Sequence, residues 1–86
     1  MPEVSRFYGI VIRVYFEDHA PPHFHAEYGG DEGRIDIASG RILSGSLPPR
    51  VQRLVGEWRG LHRAELLADW NLAAERQPLN RIAPLD

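Results

Sequence analysis

Residues 7 to 17, Phe-Tyr-Gly-Ile-Val-Ile-Arg-Val-Tyr-Phe-Glu, alternate with period two. Tyr8, Ile10, Ile12, Val14 and Phe16 fall on one face; Phe7, Gly9, Val11, Arg13, Tyr15 and Glu17 fall on the other. Alternation among β-branched and aromatic residues predicts a long strand over about 6–17, with one apolar face and one mixed face. Asp18-His19-Ala20-Pro21-Pro22 comes next, and two adjacent prolines cannot continue a ladder, so a turn is expected there. A second strand is expected over about 23–29. Pairing the two strands antiparallel about Ala20 sets Phe16 opposite Phe24, Val14 opposite Ala26 and Ile12 opposite Tyr28. The other face then sets Glu17 opposite His23, Tyr15 opposite His25 and Arg13 opposite Glu27. Each pair matches in polarity, and a one-residue slip would mismatch them all.

Gly29-Gly30-Asp31-Glu32-Gly33 predicts the following turn, and about 34–38 a third strand with Ile35 and Ile37 inward. A tight loop at Gly30-Asp31 would bring Glu27 opposite Arg34 and His25 opposite Asp36. Ser39-Gly40 then turns the chain into a short fourth strand over about 41–44. Helical periodicity takes over from there. Pro48 and Pro49 suit a first helical turn, where a missing amide costs little. Val51, Leu54, Val55, Trp58 and Leu61 make one apolar stripe; Leu66, Leu67, Trp70, Ala73 and Ala74 make another. The second stripe is rotated from the first by roughly a third of a turn. The pattern therefore predicts two helices, about 48–60 and 62–76, broken near Gly60–His62. The segment 77–86 carries Leu79, Ile82 and Leu85 at intervals of three and is expected to be extended, either strapped to the body or kept for a partner. The expected fold class is α+β: an antiparallel meander of three to four strands with two C-terminal helices packed on the Tyr8/Ile10/Ile12/Val14/Phe16 face.

Composition narrows the picture. Eighty-six residues make one domain, 1–86. A chain of this size buries roughly 60–65% of its unfolded surface, so the core is modest. Cysteine is absent, which excludes disulfides and thiolate–metal sites. All ten basic residues are arginine, and arginine grips carboxylates and phosphates with a planar fork. The net charge of −2 excludes a strongly basic nucleic-acid binder by bulk electrostatics, leaving room only for a local patch. No apolar run reaches membrane-spanning length. Met-Pro-Glu-Val-Ser-Arg lacks the pattern of a signal peptide, which makes the cytoplasm the expected location.

The densest chemistry lies in Pro21-Pro22-His23-Phe24-His25-Ala26-Glu27-Tyr28-Gly29. His23, His25 and Glu27 share one strand face, with alternate positions roughly 6–7 Å apart. Three readings stay open. One is an acid–base site, with one histidine abstracting a proton, the other donating one, Glu27 beside them and Asp36 orienting His25. Another is a divalent metal site of the zinc type, with His23 and His25 as ligands and Glu27 or His19 as the third. The plain alternative is that the histidines fill an exposed strand face that meets a partner. Arg13, Tyr15, Arg34 and Asp36 line the same face as candidate binding residues, with Arg13 or Arg34 suited to a phosphate. Trp58 and Trp70 read as core, and His62 as local to the helix break. Arg50, Arg53, Arg59 and Arg63 give the helices a partly basic outer side.

Arg6-Phe7-Tyr8-Gly9-Ile10, the Pro21-to-Gly29 motif, Gly45-Ser46-Leu47-Pro48, Glu57-Trp58, His62 and Leu79-Asn80-Arg81-Ile82-Ala83-Pro84-Leu85 together resemble a family of small bacterial proteins catalogued as a domain of unknown function. The resemblance covers essentially the whole chain. It implies a bacterial cytoplasm and a second small protein encoded nearby, in a toxin–antitoxin-like or regulatory pair, and it brings no catalytic residues. On that footing the expected role is binding of a partner protein, another copy of the chain or nucleic acid through the polar sheet face. The competing expectations are a metal-independent ribonuclease using His23 and His25 and a His/Glu metal-binding protein.

Overall fold

The computed structural model describes residues 2–86. Five strands, β1 (Glu3–Phe7), β2 (Ile10–Arg13), β3 (His23–Tyr28), β4 (Asp31–Asp36) and β5 (Ile42–Gly45), are followed by one helix, α1 (Pro49–Ala74). The strands form a single antiparallel meander in the order β1-β2-β3-β4-β5. The α+β class is as expected, but the sheet has five strands rather than three or four, and one helix stands where two were predicted.

The extra strand comes from a turn hidden inside an alternating run. Tyr8 and Gly9 both take positive φ, 50° and 79°, which makes a two-residue hairpin turn matched to strand twist. Phe7 and Ile10 therefore face each other, and both are buried. Tyr8 was expected in the core; it sits at the turn, 51% exposed.

Two registers differ from expectation by two residues. β2 meets β3 as Val11↔Glu27, Ile12↔Ala26 and Arg13↔His25, because a nine-residue loop, 14–22, replaces the tight reversal about Ala20. β3 meets β4 around Gly29-Gly30, giving His25↔Arg34 and His23↔Asp36. Glu27 then opposes Glu32, which two carboxylates would resist. The Arg13 guanidinium lies 3.0 Å from Glu27, neutralising it from the neighbouring strand. A two-residue shift leaves every side chain on its original face, so the inward set survives. The exceptions are Phe16, left exposed in the loop, Tyr8 at the turn, and Phe7, which the reversal carries from the mixed face into the core.

α1 runs unbroken through the predicted break. Only His62 departs from helical angles, at φ −125° and ψ 24°. One distorted residue re-aims the helix enough that Val51, Val55 and Trp58 before it and Leu66 and Ala73 after it all face the core. Two separate helices are unnecessary for that reason. Leu61 and Leu67, assigned to the stripes by spacing, point to solvent. Arg76, at φ 56°, ends the helix, and the Gln77 N–H reaches back to the Leu72 carbonyl.

Beyond the helix the chain is stitched down. The Asn80 N–H donates to Asp69 Oδ1 at 2.9 Å, the Ile82 N–H to the Val4 carbonyl at 2.8 Å, and the Trp58 indole N–H to the Ala83 carbonyl at 2.8 Å. Ile82 and Leu85 are buried in the same cluster as the sheet's inward face. Burial raises the Asp69 carboxyl above its ordinary value, and the Asn80 amide opposes that only in part.

One glycine makes a sharp prediction. At Gly45, φ is +77° and an added Cβ would stand 2.1 Å from the Glu32 backbone oxygen. Gly45→Ala should cost about 1–3 kcal/mol, read as a lower urea midpoint and faster amide exchange at Ser46, whose N–H bonds that same oxygen. Gly60→Ala, with nothing within 4 Å, should stabilise by about 0.5–1 kcal/mol. Equal effects from the two would show that the β4–β5 approach is not tight.

Candidate functional site

The loop 14–22 folds back over the start of β3. It is held there by the Glu17 N–H on the Ala73 carbonyl and by the β-pairing of Arg13 with His25. The return brings Asp18 onto the two histidines of β3. Asp18 Oδ2 lies 2.9 Å from His23 Nε2 and 3.2 Å from His25 Nε2. Asp18 Oδ1 accepts the His19 N–H at 2.8 Å. The His23 side chain is fully buried, that of His25 12% exposed and that of Asp18 22% exposed. The Trp70 ring, 5.1 Å from the His23 ring, walls the site from the helix side, and the Tyr15 ring meets His25 edge-on at 4.3 Å.

The His23 imidazole is fixed from behind, and the His25 ring has a carboxylate near its Nδ1. Pro21 O can only accept, so His23 Nδ1–H donates to it at 2.8 Å. In the neutral ring that leaves a lone pair on Nε2 aimed at Asp18, and a proton or a cation must lie between them. His25 Nδ1 is buried without a hydrogen bond and has the Glu32 carboxylate 3.5 Å away. For Asp18, burial works to raise the carboxyl, but the His19 amide and the two imidazoles outweigh it and hold the group below the usual aspartate range. The Tyr15 hydroxyl is pushed up by burial first and then by the Glu32 and Glu27 charges.

His23 and His25 do converge, but the partners proposed for them change. Asp36, expected to orient His25, instead accepts the Ser39 N–H and hydroxyl at 2.8 and 2.6 Å, closing the β4–β5 turn. Glu17, expected opposite His23, pairs with Arg76 in solvent. Glu27, the proposed third ligand, is taken by Arg13. His19, the other proposed third ligand, is exposed on the loop. Tyr15 does reach His25, and Arg34 stands directly across the ladder from it. Asp18 is the residue that sequence reasoning passed over. It lies in a segment read only as a turn. Its signal was a carboxylate five positions before a His-x-His strand, on a loop that has to reverse.

No helix among the described residues is long and apolar enough to cross a membrane. No curated protein and no solved structure gives a significant match to the chain. The model of a family described as a domain of unknown function, DUF4160, matches residues 9–71, a span that takes in Asp18, His23, His25 and Arg34. With that match running from the first hairpin turn to the last turns of the helix, the chain belongs to the DUF4160 family.

Proposed function

We propose that this protein binds a divalent transition-metal ion through Asp18, His23 and His25. The observation that supports the reading is the double orientation of the site. Both imidazoles turn Nε2 toward one carboxylate oxygen, and both turn Nδ1 toward an acceptor, Pro21 O for His23 and the Glu32 carboxylate for His25. Metal-bound histidines characteristically donate to a carbonyl or carboxylate behind the ring, as His23 does, and Glu32 lies 3.5 Å behind His25. The three ligand atoms lie within 4.8 Å of one another. Bonds of about 2.0–2.1 Å in tetrahedral geometry need ligand atoms about 3.3 Å apart, a small opening of the present 2.9 and 3.2 Å contacts. Two nitrogens and one oxygen suit zinc, cobalt or iron(II) better than calcium or magnesium.

Three protein ligands leave a coordination position for water or substrate, the arrangement of sites that do chemistry. A metal there would supply Lewis-acid activation of a bound water. The metal-independent acid–base reading is weaker, because a fully buried His23 ring cannot reach a substrate.

Untagged protein titrated with Co(II) or Zn(II) should take up one ion per chain, with a visible Co(II) band and a change in Trp70 fluorescence. Asp18→Asn and His25→Ala should each weaken binding by more than about 100-fold, beyond the 10–100-fold typical of losing an outer partner. Absence of uptake, with a melting temperature unmoved by zinc or chelator, would sink the proposal.

The expected partner protein has one feature in its favour. β5 is an open sheet edge whose Ile42 and Leu43 are exposed, and such an edge accepts an added strand.

A further inference from the structure

We infer that Arg34 makes the metal site a receptor for a terminal phosphate group, shared between the guanidinium and the ion's open position. The inference rests on the metal reading above. Arg34 stands directly opposite His25 in the β3–β4 ladder, so the two share a face with Cβ atoms about 4.5–5.5 Å apart. Among the described residues its side chain has no hydrogen bond and no ion pair, and its Nε is buried. Its situation is unusual for this chain. Arg6, Arg13, Arg76 and Arg81 pair with carboxylates, and Arg59 and Arg63 donate to backbone carbonyls. Arg41, Arg50 and Arg53 lie exposed to water. The buried Nε forfeits hydration without compensation, which is the condition of a group awaiting a ligand.

Charge decides when that ligand binds. Asp18, Glu27 and Glu32 face the site against Arg13 and Arg34, and the Tyr15 hydroxyl feels four of these five charges. The carboxylates outnumber the guanidiniums, and Asp36, opposite His23 on the same face, adds to them, so the site by itself repels an anion. A divalent ion places two positive charges at the point where the anion would bind. Anion capture is thus conditional on the metal. A phosphate monoester, with two charges and three terminal oxygens, can bond the fork and the ion at once. A diester carries half the charge and fits less well.

The experiment uses the full chain, first loaded with zinc and checked for one bound ion. Inorganic phosphate, phenyl phosphate and dimethyl phosphate are then titrated by calorimetry, with and without metal. Inorganic and phenyl phosphate should bind only the loaded protein, each at least about tenfold tighter than dimethyl phosphate. Arg34→Gln should weaken phosphate by about 10- to 100-fold while leaving zinc affinity unchanged, and Arg34→Lys should recover part of the loss. Circular dichroism verifies that both variants fold.

If zinc binds and phosphate is indifferent to Arg34→Gln, the inference is overturned while the metal site stands. Dimethyl phosphate binding as tightly as phenyl phosphate overturns the terminal-phosphate assignment. Failure of zinc to bind overturns both, and is read independently in the first step.

Discussion

Trp58→Ala should remove about 3–5 kcal/mol of stability, a large share of the roughly 4–13 kcal/mol available to a domain of this size. Trp58 is fully buried and lies where every layer of the molecule meets. Its ring contacts Phe7 of β1 at 5.4 Å, Phe24 of β3 at 5.9 Å and His62 at the helix distortion at 5.5 Å. Its indole N–H holds the Ala83 carbonyl. Alanine would leave a cavity under the sheet, strand that carbonyl and unfasten the C-terminal segment together. The measurement is thermal unfolding followed by far-UV circular dichroism. At about 4–8 °C per kcal/mol, the midpoint should fall by more than about 12 °C. Trp58→Phe keeps most of the apolar volume and loses the hydrogen bond, so it should recover more than half of the loss. A fall of under about 5 °C for alanine would mean that the core does not depend on this residue.

Ile82→Ala is the second large effect, expected at about 2–5 kcal/mol. The residue lies outside any strand or helix, in a segment that the sequence leaves either strapped to the body or kept for a partner. Yet Ile82 is buried and its N–H bonds the Val4 carbonyl. Arg81 reaches the Glu3 carbonyl and carboxylate, and Glu3, held between Arg6 and Arg81, has its carboxyl drawn down to about 2. The segment covers the outer edge of β1 in the way a further strand would. Loss of the Ile82 side chain should loosen the segment before the whole fold. The check is NMR hydrogen exchange, where the Trp58 indole proton and the Ile82 amide should lose protection more than the β3–β4 amides do. Uniform loss of protection would show that the segment and the sheet melt as one unit.

How much of this was legible depends on what each signal can resolve. Period-two alternation assigns faces, and it put Ile12, Ala26 and Ile35 inward and Arg13, His25 and Glu27 outward, as found. It cannot resolve a two-residue shift, because such a shift preserves every face. Polarity matching therefore favoured a register in which His25 met Asp36, and the fold brings it Arg34 instead. The Tyr8-Gly9 turn was hidden for another reason, because the run on either side of it alternates without a gap. The reversal does break the alternation, since it carries Phe7 onto the face of Ile10, but one displaced aromatic is a faint signal and tyrosine is not a residue one expects at positive φ. The helix distortion at His62 was foreshadowed by the rotated stripes, but periodicity does not distinguish one bent helix from two. Asp18 was beyond reach for a different cause. Its place against His23 and His25 depends on the path of a loop with no periodicity to follow.

The fastening of residues 79–85 over β1 and Trp58 also sets the order in which the layers of this fold can form in a nascent chain. The meander pairs each strand with its neighbour in sequence, so the sheet can assemble from short-range contacts as it emerges. Arg81 and Glu3, by contrast, are 78 residues apart. Until Ile82 and Leu85 leave the ribosome, the edge of β1 is open and the core around Trp58 lacks its cover. From the synthesis of β1 to that of residues 79–85 the chain thus carries a sticky strand edge unprotected, and it is most prone to aggregate in that interval.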